Sequence, residues 1–598
     1  MRPVEKNRVA ISTVVIAVVV VIVIIVAALG AYLALAKSSS STSSTSSTSS
    51  LQQSSTSSTL STSSSSLSQS SSTSSVATSS SPVYGGTLVA DEEFEPSNID
   101  PSSTNTEAGL AIDANVLDTL LTYNLTTQQI IPSLATNWTV SSDGLMYTFT
   151  LRQGVYFVNP STNKTLDELN ASDVQYSWTR VQYMANGYVY GIAGLNYSTF
   201  NIINPFEFSV NLTAPFSAFP STVADFYNAV IDKSVDVANG GYSANGTINT
   251  YMANNLIGTG PFMMTQWVKG DHITLVRNPY YWGPKPYLNQ VIIYYKNDPS
   301  TRLLDMKSKS VQVANIDPNL LSQLQGVSGL VVKNLGLSEN IGPIGLDTQI
   351  FPTNITDFRL AIAHGINYSF IDNNLFDGLA VSFAGPIPRG MFGYNSSITP
   401  YQLDRTLATQ ELNSAGFHVD SSGNLAYSNG TELAPITFVY PFDWPSGALI
   451  ASAIQSDLAQ IGIQVNIVGA TSASFSQYTS IPLNSTSHPQ MISYFWTPDF
   501  SDPADYASPA FDYYSLTGFN NNTIQGLFND SIHTSNQTLR AQLYSELTVD
   551  TLQQAPEVWT FQSVGYAVYT TNVNGLIYNP LLDGYGFEWS TVWLSPSS

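Results

Sequence analysis

Trp138-Thr139-Val140-Ser141-Ser142-Asp143-Gly144-Leu145-Met146-Tyr147-Thr148-Phe149-Thr150-Leu151 holds two runs of alternating apolar and polar residues on either side of an Asp-Gly pair. Alternation with period two marks a half-buried strand, and Asp-Gly between two such runs marks a hairpin turn. Further along, Ile450, Ile454, Leu458 and Ile461 recur at helical spacing, and after Gly462 the residues Ile463, Val465 and Ile467 recur at strand spacing. The two periods interleave through residues 83–598, punctuated by Asn278-Pro279 and Gly283-Pro284-Lys285-Pro286, so the fold class is α/β.

Charge and composition narrow the function. The chain has 598 residues, of which about five hundred read as globular, enough for two or three domains. Only 10% of residues are charged, yet 20 Lys and Arg face 42 Asp and Glu, a net charge of -22. A surface poor in cations does not suit a phosphate backbone, so nucleic acid is not expected as a partner. There is no cysteine, which excludes disulfides, thiolate metal sites and a lipid-modified cysteine anchor.

Residues 1–8 form a basic leader with Arg2, Lys6 and Arg8, and residues 9–36 run without charge through Val14 to Val26. About 20 apolar residues span a bilayer, and the excess of cations before the segment places residues 1–8 in the cytoplasm and everything after Lys37 outside. A cleaved secretory signal ending at Ala34-Leu35-Ala36 is the alternative, although its apolar region is longer than such signals carry. A third reading is a prepilin-like signal, as in archaeal surface binding proteins, cut after the basic leader. Residues 37–82 are a Ser/Thr-rich linker with no apolar face, expected to span roughly 35 to 40 Å as a flexible coil. Beyond it lie fifteen Asn-x-Ser/Thr sequons, among them Asn124, Asn137, Asn196, Asn211, Asn245, Asn354, Asn395, Asn484 and Asn536, as expected of a glycosylated exterior domain.

Gly85-Gly86-Thr87-Leu88, then Ile131-Pro132-Ser133-Leu134-Ala135-Thr136-Asn137-Trp138 leading into Ser142 to Val155, then Ala171-Ser172-Asp173-Val174, Gly258-Thr259-Gly260-Pro261-Phe262, Arg277-Asn278-Pro279-Tyr280-Tyr281-Trp282 and Phe358-Arg359-Leu360-Ala361-Ile362-Ala363-His364-Gly365-Ile366-Asn367 follow one another in a fixed order. In that order they resemble the extracellular solute-binding proteins of family 5, the oligopeptide- and dipeptide-binding proteins of ABC importers. The resemblance implies a two-lobed, type II periplasmic-binding-protein-like clamp with an extra inserted domain. It places lobe I at 83–125, 256–345 and 566–598, the inserted domain at 126–255 and lobe II at 346–565. It also implies a monomeric ectodomain that captures oligopeptides by lobe closure and delivers them to membrane permease subunits, with no cofactor, no metal and no catalysis.

Within Phe495-Trp496-Thr497-Pro498-Asp499 the resemblance implies that Asp499 pairs with a peptide's ammonium, while Trp496, Phe495 and Trp444 offer flat faces to the ligand. Dipeptide binders carry an arginine near the stretch Tyr440-Pro441-Phe442-Asp443-Trp444 to hold the ligand carboxylate, and this chain has none there. A strict dipeptide specialist is therefore disfavoured, whereas longer peptides and oligosaccharides both remain open, as do other solutes including metal chelates. Among remoter readings, a glycoside hydrolase would use a pair such as Asp499 and Asp502. The scattered histidines, His272, His364, His418, His488 and His533, and the lack of H-E-x-x-H or G-x-S-x-G motifs offer no other hydrolytic machinery. A structural or adhesive surface protein would be expected to show internal repeats, and none is present.

Overall fold

A computed structural model describes residues 81–104, 106–184, 194–243, 246–442, 444, 446–507, 516–582 and 586–596. The apolar segment 9–36, most of the linker and Asn245 lie outside the described residues. Among the described residues no helix is long and apolar enough to cross a membrane.

The Asp-Gly hairpin forms between Ala135–Val140 and Met146–Leu151, with Ser141 N–H donating to Met146 O at 2.9 Å and Gly144 at φ +73°. Alternation then decides what is buried. Tyr147, Phe149 and Leu151 face inward, and Phe149 meets Phe208 and the edge of Trp178. Trp178 sits on the helix Ala171–Met184, whose start is fixed by a reciprocal cap: Ser172 N–H donates to the Asn170 side chain at 2.8 Å, and Asn170 N–H to Asp173 at 3.0 Å. The hairpin, with Glu207–Leu212 and Leu195–Asn204, makes a four-stranded sheet around a core of its own.

A second sheet runs through both lobes. Among the described residues its order is Phe262–Val268, His272–Arg277, Gln290–Tyr295, Thr87–Glu92, Val313–Ala314, Glu557–Thr570, Leu330–Leu346, Met491–Ser493, Ile436–Pro441 and Val465–Ala470, with Ala380–Val381 also against Glu557–Thr570. The parallel pairs are Thr87–Glu92 with Gln290–Tyr295 and with Val313–Ala314, and Ile436–Pro441 with Val465–Ala470 and with Met491–Ser493. The long strands Leu330–Leu346 and Glu557–Thr570 pair antiparallel from Leu330↔Thr570 to Gly345↔Glu557 and pass from one hydrophobic core to another. Their register shifts between Asn334 and Gly336, between Leu337 and Ile341, and between Gly342 and Pro343. Bulges bend a ladder, so this ribbon bends where it passes between the two lobes of the α/β clamp.

Three of the ordered sequence stretches meet at one buried carboxylate. Asp118 accepts from Thr259 Oγ1 at 2.7 Å and from Trp282 Nε1 at 2.9 Å, and the Arg152 guanidinium lies 4.3 Å over the Trp282 ring. Gly258-Thr259-Gly260 is glycine-flanked because the chain runs against the Val116 backbone, where a Cβ at Gly258 or Gly260 would stand 2.0 or 2.6 Å away. Asn278 Nδ2 donates to Gly260 O at 2.8 Å and closes the node.

The contrast between two glycines gives a test. Gly258→Ala drives a methyl into immobile backbone and should cost roughly 1–3 kcal/mol, whereas Gly526→Ala, in the helix Asn522–His533 with open space around its Cβ, should gain about 0.5–1 kcal/mol. Urea denaturation midpoints of the two variants check both signs.

Candidate functional site

Between the lobes lies a cavity of about 210 Å³. One wall is Glu92, Glu93, Phe94, Asn315, Asp317 and Phe587; the other is Phe376, Leu379, Trp444, Ser446 and Phe495, and Ser563 to Ala567 of the ribbon form its floor. Trp444 follows the strand Ile436–Pro441 and precedes the helix Gly447–Ala459, where Gly447 N–H donates to Trp444 O at 3.0 Å. That turn sets the indole against Phe495, ring centroids 5.2 Å apart and tilted by 57°, and 5.9 Å from Phe561. Trp444 and Phe495 thus come together on one wall.

Trp496 and Asp499 lie off that cavity. Trp496 is 7% exposed, exchanges backbone hydrogen bonds with Ile341 of the ribbon at 2.9 and 3.0 Å, and donates Nε1–H to Asp505 Oδ2 at 3.0 Å. Asp499 N–H donates to the same oxygen at 3.1 Å. Trp496 therefore packs the segment and orients Asp505, with no ring face on the cavity. Asp499 itself is half-buried.

Around Asp499 the structure gathers acids from separate parts of the chain. Burial pushes the Asp499 carboxyl up to about 7. Burial, then the Asp499 charge, holds Asp505 well above the carboxylate range, and Asp225 is raised for the same two reasons. Glu107, on the helix Glu107–Val116, reaches towards Thr497 and is also raised by burial. Glu339, in the ribbon bulge, is pushed up to about 7 by burial, and accepts from Ser501 Oγ at 2.6 Å while its backbone carbonyl accepts from the Tyr506 hydroxyl at 2.7 Å. Asp502 alone has a cation: Arg540 Nη2 stands 2.5 Å from it. Asp502 also accepts from Ala504 N–H, capping the short helix Pro503–Ala507 that turns Asp505 back. Among the described residues no Lys or Arg pairs with Asp499, Asp505 or Asp225. Buried charge without a partner is costly, which is what raises these carboxyls and would favour a cation beside them.

Sequence reasoning missed Asp505, Asp225, Glu107, Glu339 and Glu92. The signal for Asp505 was its place three residues after Asp502 on a Pro-initiated helical turn; the others carry no local signal. Of the sequon asparagines, Asn137, Asn354, Asn484 and Asn536 are exposed, and Asn124, Asn196, Asn211 and Asn395 partly so.

Comparison with known proteins places this geometry. Residues 129–516 match the model of the bacterial extracellular solute-binding proteins, family 5. The chain is 26% identical to the probable D,D-dipeptide-binding periplasmic protein of Escherichia coli (strain K12) over 83% of this chain and 92% of that protein. It is 30% identical to di/tripeptide-binding protein 2 of Pseudomonas aeruginosa (strain UCBPP-PA14) over 70% and 78%. Its fold is similar to the periplasmic binding protein DppA of Helicobacter pylori in complex with the peptide STSA, with a TM-score of 0.70 at 26% identity, covering 86% of this chain and 98% of that one.

The raised carboxyls predict an unusual pH dependence. Asp499 and Glu339 release their protons near pH 4 in the unfolded chain but near 7 in the folded one, so the folded state binds more protons between those values. Stability should therefore fall as pH rises from 5 to 8. Melting temperatures of the unliganded protein across that range check it; Asp499→Asn should flatten the fall, and profiles that stay level in both proteins contradict the assignment.

Proposed function

This chain belongs to the bacterial extracellular solute-binding proteins, family 5, and from that premise we propose that it is the substrate-binding subunit of an ABC importer, capturing oligopeptides by lobe closure and delivering them to the permease. One observation carries the peptide reading: Asp499, Asp505 and Asp225 lie near enough for their charges to oppose one another, and among the described residues no Lys or Arg pairs with them. A peptide's α-ammonium supplies the missing charge, and a desolvated, hydrogen-bonded pair of this kind is strong. Peptide ligands named for the relatives support the same class. Among the described residues no Lys or Arg lines the cavity wall, so a buried C-terminal carboxylate would lack a partner there, which favours longer peptides held by their backbone over strict dipeptides.

A second reading, oligosaccharide, draws on Trp444 and Phe495, whose tilted pair would suit a pyranose face. In either reading the protein binds and does not catalyse. Residues 9–36 serve as a single-pass anchor, 37–82 as a spacer, and the sequons carry glycans on a monomeric exterior unit. Lobe I comprises 83–125, 256–345 and 566–598, the inserted domain 126–255, and lobe II 346–565.

A thermal-shift screen with peptides of two to eight residues and a panel of oligosaccharides separates the readings. At 100-fold excess over Kd a true ligand stabilises by about 2.7 kcal/mol. Free peptides should shift the melting point, N-acetylated ones should not, and Asp499→Asn should weaken the free peptide by about 2–5 kcal/mol. Shifts with sugars alone would overturn the peptide reading.

A further inference from the structure

The cavity walled by Glu92 and Trp444 is separate from the Asp499 cluster, and its chemistry is not that of a general side-chain pocket. Glu92 ends the strand Thr87–Glu92, in the interior of the lobe-spanning sheet. It is 5% exposed, and among the described residues its Oε2 has no hydrogen-bond partner, although the carboxyl lines the cavity. Glu93 and Asp317 line the same wall. The one guanidinium behind them, Arg302, is fully buried and already committed: Nε donates to Asn315 O at 2.7 Å, Nη1 to Lys296 O at 2.7 Å and Asn297 O at 3.1 Å, and Nη2 to Asp317 at 2.5 Å, with Glu93 at 3.4 Å. Three carboxyls thus share one arginine whose donors are spent, and no Lys or Arg lines the cavity among the described residues.

Across the cavity stand Trp444 and Phe495, flat apolar surfaces that attract a cation through the ring face and cover the methylene stem behind it. The volume, about 210 Å³, is below the roughly 300–1,000 Å³ of pockets that enclose whole small ligands, and suits one side chain. Building on the peptide reading above, we propose that this cavity is a subsite for a cationic side chain, so that the protein prefers peptides carrying a lysine or arginine in addition to the N-terminal ammonium. Burial pushes the Glu92 carboxyl up to about 8 against the pull of Arg302 and a hydrogen bond from Asn315; a bound cation favours the charged form and displaces its proton.

The test is calorimetry of the full-length protein with tetra-alanine and with variants carrying lysine, or the uncharged isostere norleucine, at each position after the first. At one position lysine should bind at least about tenfold tighter than norleucine. Glu92→Gln should bring the two affinities together, and Trp444→Leu should narrow the gap. Equal affinities at every position, or a lysine preference that survives both substitutions, overturns the subsite. If no peptide binds, the peptide reading fails, and thermal shift with 1,5-diaminopentane tests the subsite by itself: stabilisation of the parent that Glu92→Gln abolishes supports it, and no stabilisation of the parent overturns it.

Discussion

Two antiparallel strands, Leu330–Leu346 and Glu557–Thr570, carry both halves of the large sheet, and the geometry of the cleft follows from where their ladder fails. The shift between Leu337 and Ile341 leaves Ser338, Glu339 and Asn340 out of register. Gln562, fully buried in the facing strand, fills that gap: its Nε2 donates to Ser338 O and Arg389 O, and its Oε1 accepts from Arg389 N–H. The bulge turns Glu339 towards Ser501, and Ile341, just beyond it, bonds to Trp496. The ribbon bulge and the acid-bearing segment are therefore joined at several points: Glu339 to Ser501 and Tyr506, Ile341 to Trp496, and Pro343 to Tyr494.

Electrostatics divides the buried acids into two classes. Asp100 and Asp236 clasp Arg180, Asp502 holds Arg540, and Asp317 holds Arg302; these pairs tie distant segments and are complete. Among the described residues Asp499, Asp505 and Asp225 have burial without a cation, and Glu92 has only a share of Arg302, whose donors go elsewhere. A chain with 20 Lys and Arg against 42 Asp and Glu has to leave acids unpaired somewhere, and here several of them sit where the lobes meet. Desolvation raises these carboxyls, and the same low-dielectric setting makes a cation's attraction to them stronger than to acids in open water.

Much of this was legible in the residues. Period-two alternation around Asp143-Gly144 gave the hairpin, the Ile450 series gave the helix before Val465–Ala470, and stretches around Arg152, Thr259 and Trp282 travel together because they converge on Asp118. Trp444 and Phe495 were legible through the family resemblance of the segments that carry them and through their flat aromatic faces. The burial of Trp496 was not, since it depends on the bridge to Ile341, in a strand far earlier in the chain. Glu92 was equally hidden: a charge at a strand end reads as surface until the neighbouring strands are placed on both sides of it.

The most direct measurement of the central claim is calorimetry of an unblocked peptide without basic side chains at pH 6, in two buffers of different ionisation enthalpy. If Asp499 gives up its proton to meet the ligand's ammonium, the apparent heat should differ between buffers by the equivalent of about one proton released per peptide bound, and Asp499→Asn should remove the difference. Binding whose heat is the same in both buffers would contradict the account.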